Sequence, residues 1–187
     1  MNLTTEQQAS FVEFGRIISC DDPEVMRQLS LGVSDPQTWL DEHRKNAGPG
    51  CCCGICMDDP VSWDDVESAY PKLMIQVVEP YLIGFWNNMG DLTAWVMGCA
   101  RKRSIALDAD MIRNDLRGVE EGEFNHKWEF VEAATGAVYD ALRHQEMDLF
   151  FVPDPYEDPV YACVVSPLDA ARLGQCESWA DGAELFN

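Results

Sequence analysis

Apolar and polar positions in the first 46 residues alternate with the spacing of three short helices. Phe11, Val12, Ile17 and Ile18 mark the apolar side of the first, with Thr5 as its cap and Asp21-Asp22-Pro23 as its end. Val25, Met26 and Leu29 mark the second, Trp39 and Leu40 the third. Both open on an Asp-Pro pair, Asp22-Pro23 and Asp35-Pro36. A proline at the first helical position costs nothing, because its missing N–H would have no intrahelical partner. Asn46-Ala47-Gly48-Pro49-Gly50 then breaks any helix.

Beyond a cysteine-rich loop, Ser62 can cap a long helical region, with Asp64, Asp65 and Glu67 favourable in its first turn. Pro71 and Pro80 are expected to kink or split that region. The stretch from Tyr81 to Cys99 is dense in large apolar residues and reads as a central buried helix pair, with a turn near Asn87-Asn88-Met89-Gly90. Asp108 to Arg117 and Phe124 to His144 read as two more helices, the second with Trp128, Val131, Ala134, Val138, Ala141 and Leu142 at helical spacing.

The C-terminal part changes character. Met147 to Val152 and Val160 to Val165 are short runs rich in Val and Phe, which predict two strands joined by a rigid acidic loop from Pro153 to Pro159. Pro167 to Leu173 reads as a short helix and the last dozen residues as a loose tail. The pattern predicts a mostly helical α+β fold with a small C-terminal β-hairpin, in a single globular domain. Its parts are N-terminal helices over 1–46, the cysteine-rich loop over 47–60, a helical core over 61–146, and hairpin, helix and tail over 147–187.

Composition supports a folded chain. Apolar residues make up 47% of the 187, with six Trp and eight Phe to fill a core. No apolar run reaches the length of a membrane helix, and the N-terminus has neither a basic start nor an apolar signal core. These features predict a cytoplasmic protein, whose eight cysteines would be reduced thiols or metal ligands.

Cys53-Gly54-Ile55-Cys56 has the C-x-x-C spacing in which a tight glycine turn lets two thiolates face one zinc ion. Cys53 and Cys56 are therefore the candidate metal ligands. A structural site needs two more, from Cys51, Cys20, Cys99, Cys163, Cys176, His43, His126 or His144. No second C-x-x-C and no H-x-x-x-H completes the motif. The plainer alternative is that these small residues fill a turn. The histidines read as helix-end or surface residues, since His43 and His144 close predicted helices, where a cation is favourable. No phosphate-binding glycine loop, nucleophile elbow or zinc-protease motif occurs, so no catalytic residue is assigned.

Charge then changes the picture most. The chain carries 33 Asp and Glu against 13 Lys and Arg, a net charge of −20. Between Asn46 and Ala100 the only base is Lys72, and from Gln145 to the end the only base is Arg172. The single basic cluster is Arg101-Lys102-Arg103. Such a chain is repelled by nucleic acid and membrane phosphates and attracted to basic surfaces. Asp58, Asp59, Asp64 and Asp65, and Asp154, Glu157 and Asp158, lie in proline-bounded segments nearly free of bases. They are the candidate partner-binding residues, because spaced carboxylates on a rigid backbone imitate the phosphates of a duplex. The alternative is a solvated acidic surface kept for solubility.

In size, charge and lack of catalytic motifs the chain resembles the acidic nucleic-acid mimics among anti-restriction and anti-CRISPR inhibitors. The resemblance covers no motif and assigns no residue. It implies a non-catalytic protein, carried by a phage or mobile element, that binds a basic surface of a host nucleic-acid-binding complex and does not bind nucleic acid itself. A small zinc-binding adaptor built on the Cys51–Cys56 loop is the second expectation, and a thiol enzyme using that loop the third. The open edge of a two-stranded hairpin would also allow a homodimer.

Overall fold

The computed structural model describes residues 3–47, 66–85, 91–124, 126–152 and 160–176. Among these residues eight α-helices and one three-stranded antiparallel sheet form a mostly helical α+β fold, the class that the pattern predicts. The expected Ser62 cap, the turn at 87–90, the acidic loop over 153–159 and the tail from residue 177 lie outside the described residues. Two compact units divide the chain. One draws on Met1–Val78 and Leu173–Asn187, the other on Glu79–Val152 and Tyr156–Arg172.

The first unit is helical. Helix α1 (Thr5–Ser19) is capped one residue before the expected position: Thr4 Oγ1 accepts from the Gln7 N–H, and Gln7 Oε1 accepts from the Thr4 N–H at 3.0 Å. It ends in the left-handed turn of Cys20 and Asp21. Arg16 reaches across that turn, pairing with Glu13 at 2.6 Å and Asp21 at 3.0 Å. Helix α2 (Pro23–Ser34) is capped by Asp22, which accepts from Glu24 and Val25. Helix α3 (Pro36–Ala47) follows Asp35, which accepts from the backbone and hydroxyl of Thr38.

Of the kink or split expected at Pro71 the split does not occur, since helix α4 (Val66–Val78) continues through it. The ring removes a single backbone hydrogen bond, while Tyr70, Leu73, Met74, Val77 and Val78 of the same helix are buried. That burial outweighs one lost bond. The break falls instead at Pro80, in the 3-10 turn Glu79–Tyr81.

Packing in this unit runs through two glycines. A Cβ at Gly15 would collide with the buried Leu29 side chain, and one at Gly32 with that of Leu73. Helices α1 and α4 thus each meet α2 at a point where a side chain fills the space of a missing methyl group. Around these contacts Phe11 meets Tyr70 edge to face, with ring centres 5.4 Å apart.

The second unit holds the sheet: β1 (Ile83–Phe85), β2 (Asp148–Phe151) and β3 (Val160–Val165), in the order β1-β3-β2. Ile83 lies opposite Ala162, and Leu149 opposite Val164. The β2-β3 hairpin is as the sequence predicts. The third strand is not, because residues 83–85 were expected in a helix. A three-residue apolar run after a proline has no period of its own, and here β3 supplies its hydrogen bonds. β1 pairs along one side of β3 and β2 along the other, so β3 is the central strand and the edges of the sheet are β1 and β2.

Helices α5 (Leu92–Lys102), α6 (Ala109–Glu120) and α7 (Lys127–Arg143) pack with the sheet around Phe85, Leu92, Val96, Ile112, Leu116, Val138 and Leu142. Asp91 caps α5 and Asp108 caps α6. Glu120, at the end of α6, accepts from the Thr93 N–H at 2.8 Å and ties the two helices together. Arg103 closes α5. Its side chain is almost wholly buried and pairs at 3.5 Å with Asp169 of helix α8 (Pro167–Gln175).

The glycine notches give a direct test. Gly15→Ala and Gly32→Ala should each destabilise the protein by about 1–2 kcal/mol, the overpacking penalty less the gain in helix propensity. Gly136→Ala, on α7 where a Cβ meets open space, should stabilise by about 0.5–1 kcal/mol. Urea unfolding of the three variants decides, and equal stabilities would refute the notch packing.

Candidate functional site

The acids chosen from sequence, Asp58, Asp59, Asp64, Asp65, Asp154, Glu157 and Asp158, lie outside the described residues, as do Cys53 and Cys56. The described residues hold 23 of the 33 acids and so about half of the charge surplus. They contain all 13 Lys and Arg of the chain. The remaining segments contain no base, and carry Asp58, Asp59, Asp64, Asp65, Asp154, Glu157, Asp158, Glu177, Asp181 and Glu184. Many of the described arginines are already engaged by carboxylates of the same unit. Arg27 pairs with Glu24 and Glu42, Arg113 with Asp110, and Arg143 with Asp148, besides the Arg16 and Arg103 pairs.

The acids of the described residues divide by task. Asp22, Asp35, Asp91 and Asp108 cap helices, and Glu129 accepts from the His126 N–H at the start of α7. Glu132 and Asp140, both exposed on α7, make no such contact among the described residues. They share the outer side of that helix with Trp128, 49% exposed, and Tyr139, 38% exposed. Trp128, Glu132, Gly136, Tyr139 and Arg143 follow one another at intervals of three or four, which places them along one stripe. Arg143 lies over the Tyr139 ring at 5.4 Å, so this stripe already accommodates one guanidinium. All the large apolar side chains found exposed among the described residues belong to the second unit: Trp95, Met111, Trp128, Tyr139, Phe151 and Leu168.

The second unit also holds a cleft of about 470 Å³. Helix α5 forms one wall with Ala94, Trp95, Gly98, Cys99 and Lys102, and the segment Glu79, Pro80 and Leu82 forms the other. Trp95, Gly98 and Lys102 fall three and four residues apart and so face it together. The Cys99 thiol is pushed up to about 11 by burial, an effect that nearby Lys102 and Arg103 only partly offset. It is a neutral thiol at pH 7, not a nucleophile. Sequence reasoning missed this site because its two walls are joined only by tertiary structure. The one legible signal was the Trp95, Gly98, Lys102 spacing.

Among the described residues the remaining cysteines and histidines assemble no centre. Cys163 is buried, Cys20 is exposed and Cys176 half-buried. His43 stacks on Trp39 with ring centres 5.2 Å apart, and burial together with Arg44 lowers its pKa. His144 Nδ1 lies 3.1 Å from Asp115. Among the described residues no three His, Cys, Asp or Glu side chains are grouped to hold a metal ion. No helix there is long and apolar enough to cross a membrane.

No protein-family model, curated protein or solved structure matches the chain. The likeness to nucleic-acid mimics therefore stays one of size and charge.

Two measurements bear on the cysteines. Maleimide at pH 8, with peptide mapping, should label Cys20 more than about tenfold faster than Cys99 or Cys163, since reaction needs an accessible thiolate. Comparable rates would contradict the burial of α5 and β3. If Cys53 and Cys56 hold zinc, purified protein contains about one equivalent, and changing both to Ser releases it and lowers the Tm markedly. A zinc-free wild type with an unaltered Tm in the variant removes the metal reading.

Proposed function

We propose that this chain is a non-catalytic, cytoplasmic interaction protein that binds a basic surface of a nucleic-acid-binding complex in place of the nucleic acid. In its most specific form it is an inhibitor carried by a phage or mobile element against a host defence complex. The observation that carries this reading is the partition of charge. Asn46 to Ala100 and Gln145 to the end together carry sixteen acids against only Lys72 and Arg172, while many arginines elsewhere are paired within their own unit. A chain kept acidic only for solubility has no need of that separation.

Carboxylates on 48–65 and 153–159 would act at a distance, drawing a basic partner in and setting the rate of encounter. Exposed ion pairs hold little, about 0–1 kcal/mol each, so residence needs apolar contact. The stripe on α7 supplies the right side chains, since Trp and Tyr accept an arginine on their faces and are common anchors at interfaces. Zinc in the Cys51–Cys56 loop would be compatible with this role; a zinc adaptor without the acidic function is the alternative reading.

The protein, immobilised and exposed to nuclease-treated cell lysate, should capture nucleic-acid-binding proteins that a short DNA duplex then displaces. Changing Asp154, Glu157 and Asp158 to Lys should slow association with a captured protein by about tenfold at low salt, and by much less at high salt. Trp128→Ala should leave association unchanged and speed dissociation. Captured proteins that duplex does not displace, or a triple variant that associates as fast as wild type, would overturn the mimicry.

A further inference from the structure

We infer that the cleft of the second unit is a binding site for a small aromatic zwitterion, of the kind an aromatic amino acid represents. The inference is independent of the acidic-partner reading. Three features of the cleft carry it.

The first is its apolar wall. Trp95 leaves 48% of its surface exposed beside Pro80, in a cleft of about 470 Å³. That volume suits a molecule from amino-acid to small-drug size. An indole face next to a proline ring favours a flat, apolar occupant.

The second is Gly98. It sits in the interior of α5, where glycine costs stability relative to alanine. A Cβ built there meets nothing within 4 Å, so no packing within the described protein requires the glycine. Gly15 and Gly32 are there to admit a neighbouring leucine. Gly98, like Gly118, Gly136 and Gly174, meets no neighbour among the described residues, but of these four it alone lines the cleft, where a side chain would take up space.

The third is a pair of opposite charges. Glu79 and Lys102 line the same cleft yet form no ion pair with each other. The Lys102 ammonium lies 5.9 Å from the centre of the Tyr81 ring and near the Cys99 thiol. A ligand carrying only a carboxylate would gain Lys102 but meet Glu79 and the field of a chain with net charge −20. A ligand carrying only an amine would gain Glu79 and the field of the chain but meet Lys102 with nothing to offer it. A zwitterion satisfies both groups and, being neutral overall, is not opposed by the net charge. The carboxylate then faces Lys102, the ammonium faces Glu79 and the ring lies on Trp95.

Titration calorimetry of the full chain with L-tryptophan, indole-3-propionate, tryptamine and indole tests this without any partner protein. L-tryptophan should bind tightest, each singly charged compound about tenfold more weakly, and indole weakest of all. In Lys102→Gln, L-tryptophan should bind no better than tryptamine. In Glu79→Gln it should bind no better than indole-3-propionate. Gly98→Leu should fill the cleft and abolish binding, with circular dichroism to confirm the fold; Gly98→Ala should keep the fold and weaken binding less. No measurable binding at millimolar ligand, indole binding as tightly as L-tryptophan, or a folded Gly98→Leu that binds like wild type would each overturn the inference. None of these outcomes bears on whether the acidic segments bind a basic partner.

Discussion

A chain with 33 acids and 13 bases must fold against its own repulsion, and its helices are built so that many of the acids relieve the problem they create. The start of a helix carries unsatisfied N–H groups and a partial positive charge. Asp22, Asp35, Asp91 and Asp108 each stand at such a start and accept from its backbone. Glu120 does the same from a distance by accepting from Thr93. The few arginines are used with similar economy. Arg16 and Arg27 each serve two carboxylates, and the buried Arg103 joins the end of α5 to α8 through Asp169. With bases committed in this way, acids that cap nothing and pair with nothing are left for the solvent or for a partner.

The same rule explains what could be read from the sequence. Asp-Pro pairs located α2 and α3 because cap and proline are local signals, set by one turn of backbone. The first helix was displaced by one residue because Thr4 and Thr5 are both competent caps, and only Gln7, reaching back to Thr4, chooses between them. The β2-β3 hairpin was legible from two Val- and Phe-rich runs around a proline loop. Strand β1 was not. Ile83, Gly84 and Phe85 are too few to show a period, and their extended form depends on residues 160–162, far along the chain. Pro71 did not split its helix, for the opposite reason. Its local cost is real, but five of the seven residues after it are buried, and packing decided the matter.

Sites divided in the same way. The acidic segments were legible as composition, because charge is additive and needs no fold to be counted. The cleft was not, because Glu79, Pro80 and Leu82 meet Trp95, Gly98 and Lys102 only once the turn after α4 has placed them. Nothing in the one-dimensional pattern distinguishes Gly98 from Gly15. Only their surroundings do: one Cβ would strike a buried leucine and the other would enter open space.

Charge and apolar surface then answer to different conditions. The field of the acidic segments decays within roughly 10 Å at moderate ionic strength, so its influence falls as salt rises. Contacts made by Trp95, Trp128 or Tyr139 with an apolar or π-bonding group depend little on salt, because they arise from surface removed from water. A protein that used only the first would meet its partner quickly and lose it as quickly. One that used only the second would bind slowly and with little discrimination. Along the sequence the acids crowd into stretches nearly without bases, and among the described residues exposed aromatics stand on α5 and α7. The salt dependence of association and the salt independence of dissociation would therefore report on different residues of the same molecule.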